Sequence, residues 1–300
     1  MVTAQTLVDL MQANRTRNRA IVYLEGEQAE RRVRFDELHE RALGILHHLQ
    51  RLGATRGDKL ILFLGSNEQF IDAFWAGILG GLVPVPVAIG IADEHRHKLL
   101  RIASNLGDPF LYTDRKALER LARFAESNDY RAQFERLSHR TFVADDVFDI
   151  GRAGRPIEPT PDDIAFIQFS SGSTSEPKGV VLTHRNILAN ARGATEAAGV
   201  NEEDVSLSWM PLTHDMGLIG MHLIMYANGV HQHLMPTDLF VRRPLLWLDF
   251  CARKRVTITC SPNFGYRHVL KVLGDRPVDH WDLSSIRLIF NGAEPISSEL

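Results

Sequence analysis

A short loop rich in hydroxyl groups holds the residues of this chain with the clearest capacity for chemistry. Residues 170–179 read Ser-Ser-Gly-Ser-Thr-Ser-Glu-Pro-Lys-Gly and lie between two apolar runs, Ile164–Phe169 and Val180–Leu182. Hydroxyls, free backbone N–H groups and one lysine are what a polyphosphate with a bound metal ion requires of a protein. The loop therefore predicts a polyphosphate site.

The loop differs from a Walker P-loop, whose G-x-x-x-x-G-K-[ST] pattern lies between a strand and a helix. Here Lys178 is followed by Gly179 and by the β-branched pair Val180-Val181, which favours a strand. We therefore predict that the loop joins two strands and that the next helix begins only after Thr183. A solvated Ser/Gly turn is the alternative that this stretch alone leaves open.

Three further segments combine the predicted carboxyl end of a strand with small, polar and aromatic residues. They span 209–220, 260–266 and 290–295, and the first of them holds His214 and Asp215. Ligands of open α/β sheets bind outside the carboxyl ends of the strands. The three segments therefore predict one edge of a binding site.

The first of these segments leads into an almost entirely apolar helix, predicted over 216–226. One interpretation places this helix in the core, with His214 and Asp215 as a cap at its start. The functional interpretation is a polar gate that opens into an apolar slot, where Gly217 and Gly220 leave room on one side. The helix pattern alone leaves both interpretations open.

The elements that must position these residues follow a regular order. Predicted strands alternate with helices along most of the chain, which is typical of βαβ units and a largely parallel sheet. Gly, Pro and charged residues dominate the stretch just before the loop, which indicates a surface connection. We therefore predict an α/β protein with a first subdomain at 1–150, a connection at 151–163 and a second subdomain at 164–300 that carries the loop.

Composition limits the class of protein. The 300 residues are 44% hydrophobic and 24% charged, with a formal net charge of −3, so nothing indicates a nucleic-acid-binding protein. No apolar run approaches the ~20 residues of a membrane span, and residues 1–10 do not form a signal peptide. Cys251 and Cys260 are predicted to be reduced, buried thiols. We expect a cytoplasmic protein without membrane insertion.

Taken together, these segments resemble the adenylate-forming enzymes, the superfamily of acyl-CoA synthetases, luciferases and nonribosomal peptide adenylation domains. The loop ending in Pro177-Lys178-Gly179 is the most specific mark, and the resemblance runs along essentially all of the chain. Residues 168–174, 209–220, 261–266 and 291–295 are most similar to fatty acyl-AMP ligases, which often load polyketide and lipopeptide synthases. The implied fold is the N-terminal domain of these enzymes, with stacked βαβ subdomains.

The resemblance implies a two-step reaction that uses ATP and Mg²⁺. A carboxylic acid, in this case a fatty acid, attacks the α-phosphate of ATP and gives an acyl-adenylate and pyrophosphate. A thiol then takes the acyl group. In fatty acyl-AMP ligases the thiol is the phosphopantetheine arm of an acyl carrier protein, whereas in acyl-CoA synthetases it is coenzyme A.

The resemblance also implies roles for individual residues. Three are catalytic: Lys178 offsets charge on the leaving pyrophosphate, His214 lies at the acyl carboxylate, and Thr174 is the hydroxyl nearest Mg²⁺. Contacts to the phosphates are implied for Ser170, Ser171, Gly172, Ser173, Thr174, Ser175, Lys178 and Gly179. The adenine is implied to border Asn291, Gly292, Ala293, Glu294 and Pro295. The acyl substrate is implied to contact His214, Asp215, Met216, Gly217, Ile219, Asn263 and Phe264.

The chain departs from the family pattern in two respects. Many members have glycine where this chain has Ser175, and a serine there is expected to stiffen the loop without abolishing phosphate binding. The chain also stops in what reads as the first turn of a helix, so we expect an N-terminal fragment. The family's acidic Mg²⁺ ligand, its ribose-binding aspartate and its C-terminal domain with the adenylation lysine would follow residue 300. We therefore expect the 300 residues alone to give no detectable acyl-dependent ATP–pyrophosphate exchange.

Several alternatives to a carrier-loading acyl-AMP ligase stay open. An acyl- or aryl-CoA ligase differs by lacking an insertion expected after residue 300. An amino-acid adenylation domain would use Asp215 to bind the substrate ammonium, although the apolar helix behind it favours a chain-like acid. A catalytically silent binding fragment is the fourth hypothesis.

Overall fold

Strands and helices alternate along the chain, which the computed structural model describes over residues 4–90, 92–146, 150–169 and 177–296. The strands are β1 (Ala20–Leu24), β2 (Glu30–Arg34), β3 (Lys59–Phe63), β4 (Val83–Pro86), β5 (Phe110–Thr113), β6 (Thr141–Val143), β7 (Ile164–Phe169), β8 (Gly179–Thr183), β9 (Val205–Ser208), β10 (His231–Leu234), β11 (Ile258–Ser261) and β12 (Leu288–Asn291). The α-helices are α1 (Leu7–Asn14), α2 (Phe35–Arg51), α3 (Asn67–Gly80), α4 (Asp93–Asn105), α5 (Arg115–Ser127), α6 (Arg131–Ser138), α7 (His184–Ala198), α8 (Ile224–Ala227), α9 (Thr237–Arg242), α10 (Leu245–Arg253) and α11 (Asn263–Leu273). A 3₁₀-helix spans Ala144–Asp146, and a π-helix spans Met216–Leu223.

The chain forms two compact units, and each unit is built from two separate stretches of the chain. We call residues 14–35 and 189–296 the six-stranded unit, and residues 4–13 and 36–188 the four-stranded unit. The six-stranded unit includes an early stretch because β1, which forms a hairpin with β2, pairs with β10, a strand about two hundred residues later. The sequence led us to expect subdomains that are each continuous in sequence, at 1–150 and 164–300 with a connection at 151–163. These boundaries stay a prediction.

The six-stranded unit is built on one mixed sheet in the order β12-β11-β9-β10-β1-β2. All neighbours are parallel except β1 and β2, which run antiparallel. Strand β1 is buried along its whole length, as expected for a strand covered on both faces. Strand β2 buries only Val33 and exposes charged residues, which protects this edge of the sheet from pairing with another chain.

The four-stranded unit contains a parallel sheet in the order β4-β3-β5-β6 and an antiparallel pair, β7-β8. Strand β7 packs beside β4. The apolar side chains of β3, β4 and β5 pack against α4 and α5 in one core. Mostly parallel sheets with intervening helices confirm the predicted α/β class.

The start of α7 confirms the prediction for the segment after the loop. Strands β7 and β8 pair antiparallel, and α7 begins at His184, directly after Thr183. The Thr183 hydroxyl accepts a hydrogen bond from Asn186 N at 3.2 Å, and Asn186 Oδ1 accepts one from Thr183 N at 3.0 Å. This reciprocal cap satisfies two N–H groups at the helix start.

The apolar helix predicted over 216–226 is present, but its first two turns are π-helical and only its end is α-helical. A π-helix is rare, and it is frequently found at functional sites. Within the described ranges, none of the helices has both the length and the apolar character needed to cross a membrane.

Candidate functional site

The predicted phosphate loop connects β7 to β8 in the four-stranded unit. Most of it lies outside the described residues, so the roles of Thr174 and of its neighbours stay predictions; those neighbours are Ser170, Ser171, Gly172, Ser173 and Ser175. Lys178 is described and exposed, just before β8. A Cβ at Gly179 would lie 2.9 Å from Ile167 Cγ2, so glycine lets β8 pair closely with β7 at the loop.

The other predicted segments meet at one edge of the six-stranded sheet. Strand β11 lies between β9 and β12, and all three run parallel. Their carboxyl ends therefore bring the segments after Ser208, Ser261 and Asn291 side by side. This is the edge at which open α/β sheets bind ligands.

His214 lies at this edge, in the turn between β9 and the π-helix. Its backbone N–H donates to Pro211 O at 3.0 Å, and its carbonyl accepts from Leu218 N at 2.9 Å. The imidazole Nδ1 lies 2.8 Å from Asp215 Oδ1 and 3.1 Å from Met216 N. The side chain is 39% exposed, so the imidazole is accessible to a bound carboxylate.

Asp215 acts as the cap of the π-helix. Its Oδ1 accepts from Met216 N at 2.7 Å, and the side chain is 70% exposed. A carboxylate at a helix N-terminus is favoured by the unpaired N–H groups there. This capping contact explains the position of the Asp215 carboxylate without requiring the ammonium group of a substrate.

The two glycines expected to leave room beside the slot differ in their surroundings. A Cβ at Gly217 would lie 2.2 Å from Pro211 O and 2.9 Å from Met210 O, so backbone atoms fill the space next to it. At Gly220, apart from its chain neighbours and the backbone of its own helix, no atom of the described residues lies within 4 Å of the corresponding Cβ position. Only Gly220 therefore leaves open space, whereas Gly217 permits the turn at His214 to pack closely.

Three aromatic side chains pack together near these strand ends, and only one of them, Phe264, was predicted as a site residue. The Trp209 ring stacks on Phe240 with centroids 3.8 Å apart and meets the Phe264 ring edge-on at 5.5 Å. A Cβ at Gly265 would lie 2.5 Å from Trp209 Cζ2 and 2.2 Å from Ser261 Oγ. For Trp209 and Phe240 the sequence offered only a tryptophan at a strand end and a glycine near the start of a later helix, which are common features.

Asn263 joins the ends of β11 and β12. Its Nδ2 donates to Pro295 O at 2.6 Å, and its Oδ1 accepts from Asn291 Nδ2 at 3.0 Å. The Glu294 carboxylate accepts from Phe264 N at 3.2 Å and so caps the start of α11. Asn263, expected to contact the substrate, is buried and holds the site together; its predicted substrate contact stays a prediction.

The backbone after β12 has an unusual conformation beside an open space. Ala293 has φ of 70°, in the left-handed region that L-residues avoid. Among the described residues, the nearest atom to a Cβ at Gly292 would be Met216 Cε, at 3.9 Å. Gly292 and Met216, both predicted site residues, therefore face the same space, which is open as far as the described residues show. Ile219 is half-buried and Phe264 is 51% exposed, and their predicted contacts with an acyl chain stay predictions.

The described residues contain no group of three or more His, Cys, Asp or Glu side chains able to hold a metal ion. The Cys260 thiol at this edge is buried, and burial raises its pKa to about 12, so the thiol stays protonated. The arrangement at the sheet edge is thus suited to binding and orientation through hydrogen bonds and shape.

Comparison with known proteins agrees with this geometry. The sequence model of the family described as AMP-binding enzyme matches residues 10–300. A Caulobacter vibrioides protein, whose provisional name is acyl-CoA synthetase, is 33% identical over 91% of this chain and 47% of its own length. A medium-chain-fatty-acid–[acyl-carrier-protein] ligase of Moorena producens is 29% identical over 98% of this chain and 50% of its own length.

Solved structures show the same likeness. The fatty acyl-adenylate ligase of L. pneumophila, in complex with acyl adenylate and pyrophosphate, is 28% identical with a TM-score of 0.87. The match covers 99% of this chain and 51% of that chain. This chain therefore spans about half the length of the curated relatives it matches.

Proposed function

The chain belongs to the family of AMP-binding enzymes, and from this premise we propose that the protein activates a fatty or other carboxylic acid with ATP. A carboxylate oxygen attacks the α-phosphorus, the bond to the β-phosphate oxygen breaks, and acyl-AMP and pyrophosphate form. The thiol of a phosphopantetheine arm on an acyl carrier protein then attacks the acyl carbonyl carbon, and AMP leaves. We place this reaction in the cytoplasm, as the loading step of a polyketide or lipopeptide pathway.

One observation carries the proposal: three parallel strands end side by side, with His214 on one and the open space at Gly292 on another. Such an edge is where α/β sheets bind nucleotides. A partly exposed imidazole at this sheet edge suits an acyl carboxylate that must be oriented for attack. The likeness to a medium-chain fatty acid ligase supports a chain-like acid as substrate.

Lys178 is proposed to stabilise the leaving pyrophosphate. The residue follows the hydroxyl-rich loop and is exposed, so its ammonium group is free to reach a phosphate without a large desolvation penalty. A positive charge placed where negative charge develops lowers the barrier for phosphoryl chemistry. The loop hydroxyls, Thr174 among them, are proposed to bind the β- and γ-phosphates.

The adenine is proposed to border the backbone of 291–295. The left-handed Ala293 turns the backbone just after β12, and Gly292 carries no side chain into the open space. A flat ring can approach such a backbone closely. Mg²⁺ would enter with ATP, with the Thr174 hydroxyl as its proposed ligand, and would offset negative charge on the phosphates.

Coenzyme A as the acyl acceptor is the second candidate function. The 33% identity with the Caulobacter vibrioides protein favours it, whereas the 29% identity with the carrier-protein ligase favours the first candidate. An amino-acid substrate is less consistent with the site, because Asp215 already caps the π-helix.

The test is acyl-dependent ATP–pyrophosphate exchange by the full-length protein, with fatty acids of increasing length. Lys178→Ala should lower the exchange rate about 100-fold, whereas Lys116→Ala, which removes an exposed lysine on α5, should leave it unchanged. Residues 1–300 by themselves should give no detectable exchange, since the relatives are about twice as long. Exchange with amino acids but not fatty acids would overturn the proposal, and acyl transfer to coenzyme A but not to a carrier protein would select the second candidate.

A further inference from the structure

A cavity of about 380 Å³ lies between α4 and α5 in the four-stranded unit, and none of its lining residues belongs to the predicted site segments. Three arginines line it, Arg96 from α4 and Arg120 and Arg123 from α5, together with one carboxylate, Asp93. Phe124 forms an apolar part of the wall. We call this cavity the arginine pocket.

The charges around the arginine pocket are unbalanced. Three guanidinium groups against one carboxylate leave a net charge of +2. Arg120 and Arg123 are exposed and form no ion pair with a carboxylate among the described residues. Arginines with a shared cavity and no acidic partner repel one another unless an anion lies between them.

Arg96, in contrast, is held in a fixed position. It donates to Asp93 Oδ1 from Nη2 at 2.6 Å and from Nε at 3.2 Å, and to Gly90 O from Nη1 at 3.4 Å. Its guanidinium carbon lies 5.8 Å from the centroid of the Phe124 ring, and the side chain is only 11% exposed. A charge that is already ordered loses little conformational entropy when an anion binds beside it.

We propose that the arginine pocket binds a phosphate group. A phosphate monoester carries a charge of about −1.5 to −2 at neutral pH and three acceptor oxygens, which matches the net charge of the pocket. The planar guanidinium forks of Arg120 and Arg123 can each place two N–H groups on such oxygens. Arg96, whose nitrogens already donate to Asp93 and Gly90, adds a fixed positive charge to the wall of the pocket. The phosphate can come from a free ion or from the phosphate of a pantetheine arm, and the probes below distinguish these sources.

The experiment follows the Arg96 Nε–Hε NMR signal of the protein at low salt during titration with inorganic phosphate, pyrophosphate or 4′-phosphopantetheine. Glutarate, a dicarboxylate of comparable charge, serves as the probe for unspecific attraction of anions. We expect saturable shifts with at least one of the phosphates, and at least tenfold weaker binding of glutarate. Tighter binding of 4′-phosphopantetheine than of both inorganic anions would identify the pantetheine arm as the source, and the reverse order would identify a free ion.

Three variants make the test specific. Arg120→Ala/Arg123→Ala should weaken phosphate binding at least tenfold, and Arg120→Lys/Arg123→Lys should also weaken it, because lysine keeps the charge but lacks the fork. The matched control, Arg51→Ala/Arg131→Ala, removes two exposed arginines elsewhere in the same unit and should bind as the unaltered protein does.

Lys178→Ala separates this site from the proposed phosphate loop. The Arg96 shifts should persist in that variant, even if its exchange activity is lost. Absence of saturable shifts in the unaltered protein, equal affinity for glutarate, or equal weakening in the Arg51/Arg131 control would each overturn the assignment of a phosphate site.

Discussion

The packing at Gly217 makes a quantitative prediction for a single methyl group. In Gly217→Ala the new Cβ would lie 2.2 Å from Pro211 O and 2.8 Å from Pro211 C. These are backbone atoms, so they cannot rotate away as a flexible side chain would. Overpacking of this kind costs about 1–3 kcal/mol, and we take the upper end because the obstacle is backbone. Alanine is more favourable than glycine in a helix by about 1 kcal/mol, which offsets part of this cost. The free energy of unfolding should therefore fall by about 2 kcal/mol.

Gly220→Ala is the matched control, since it adds the same methyl group to the same π-helix. No described atom lies within 4 Å of its Cβ, so only the propensity gain of about 1 kcal/mol applies. With about 2–4 °C per kcal/mol for chains of this size class, thermal unfolding followed by circular dichroism should show Gly217→Ala melting about 4–8 °C below the unaltered protein. Gly220→Ala should melt at or slightly above it. The reasoning fails if Gly217→Ala is as stable as Gly220→Ala.

Three further predictions concern activity, pH and thiol reactivity. His214→Ala should lower kcat/KM for the acid about 100-fold in pyrophosphate exchange by the full-length protein, whereas the exposed His280→Ala should not; equal effects would contradict the role given to His214. Burial lowers the pKa of His222 to about 4. Between pH 6.5 and 4 the imidazole is therefore neutral in the native state, whereas in the unfolded chain, where its pKa is near 6.5, it takes up a proton. The free energy of unfolding should therefore fall as pH drops from 6.5 towards 4. In His222→Gln, the pH dependence of unfolding by urea should correspond to the uptake of about one proton fewer. An unchanged pH dependence would argue against a buried neutral imidazole. Burial also raises the pKa of both Cys251 and Cys260 to about 12, so neither should react with a disulfide reagent at pH 8 until the protein is unfolded, and rapid reaction of the native protein would show that they are accessible.

Local patterns in the sequence were sufficient to predict the elements that carry the site. The β-branched pair after Gly179 indicated a strand, and Thr183 is a good N-cap, so the strand–loop–strand arrangement and the start of α7 followed directly. Proline breaks after strands placed His214 and Asn263 at strand ends. These signals depend on a few neighbouring residues, which is why they are readable without tertiary contacts.

Features that depend on distant residues could not be predicted in this way. The pairing of β1 with β10 joins segments about two hundred residues apart, and no local pattern specifies that register. The stacking of Trp209 on Phe240 and the filled space at Gly217 depend on how strand ends pack together. The apolar run over 216–226 indicated a helix but not its π-helical turns, because a helix that is apolar on nearly all faces has no period that distinguishes the two helix types.

The central claim, formation of an acyl-AMP, can be tested by mass spectrometry. The full-length protein is incubated with ATP, Mg²⁺ and a fatty acid, and the products are identified by mass before any thiol acceptor is added. We predict acyl-AMP and pyrophosphate in equal amounts, dependent on the acid and strongly reduced by Lys178→Ala. ATP cleavage without any acyl-AMP, or acyl-AMP formation unaffected by Lys178→Ala, would contradict the account.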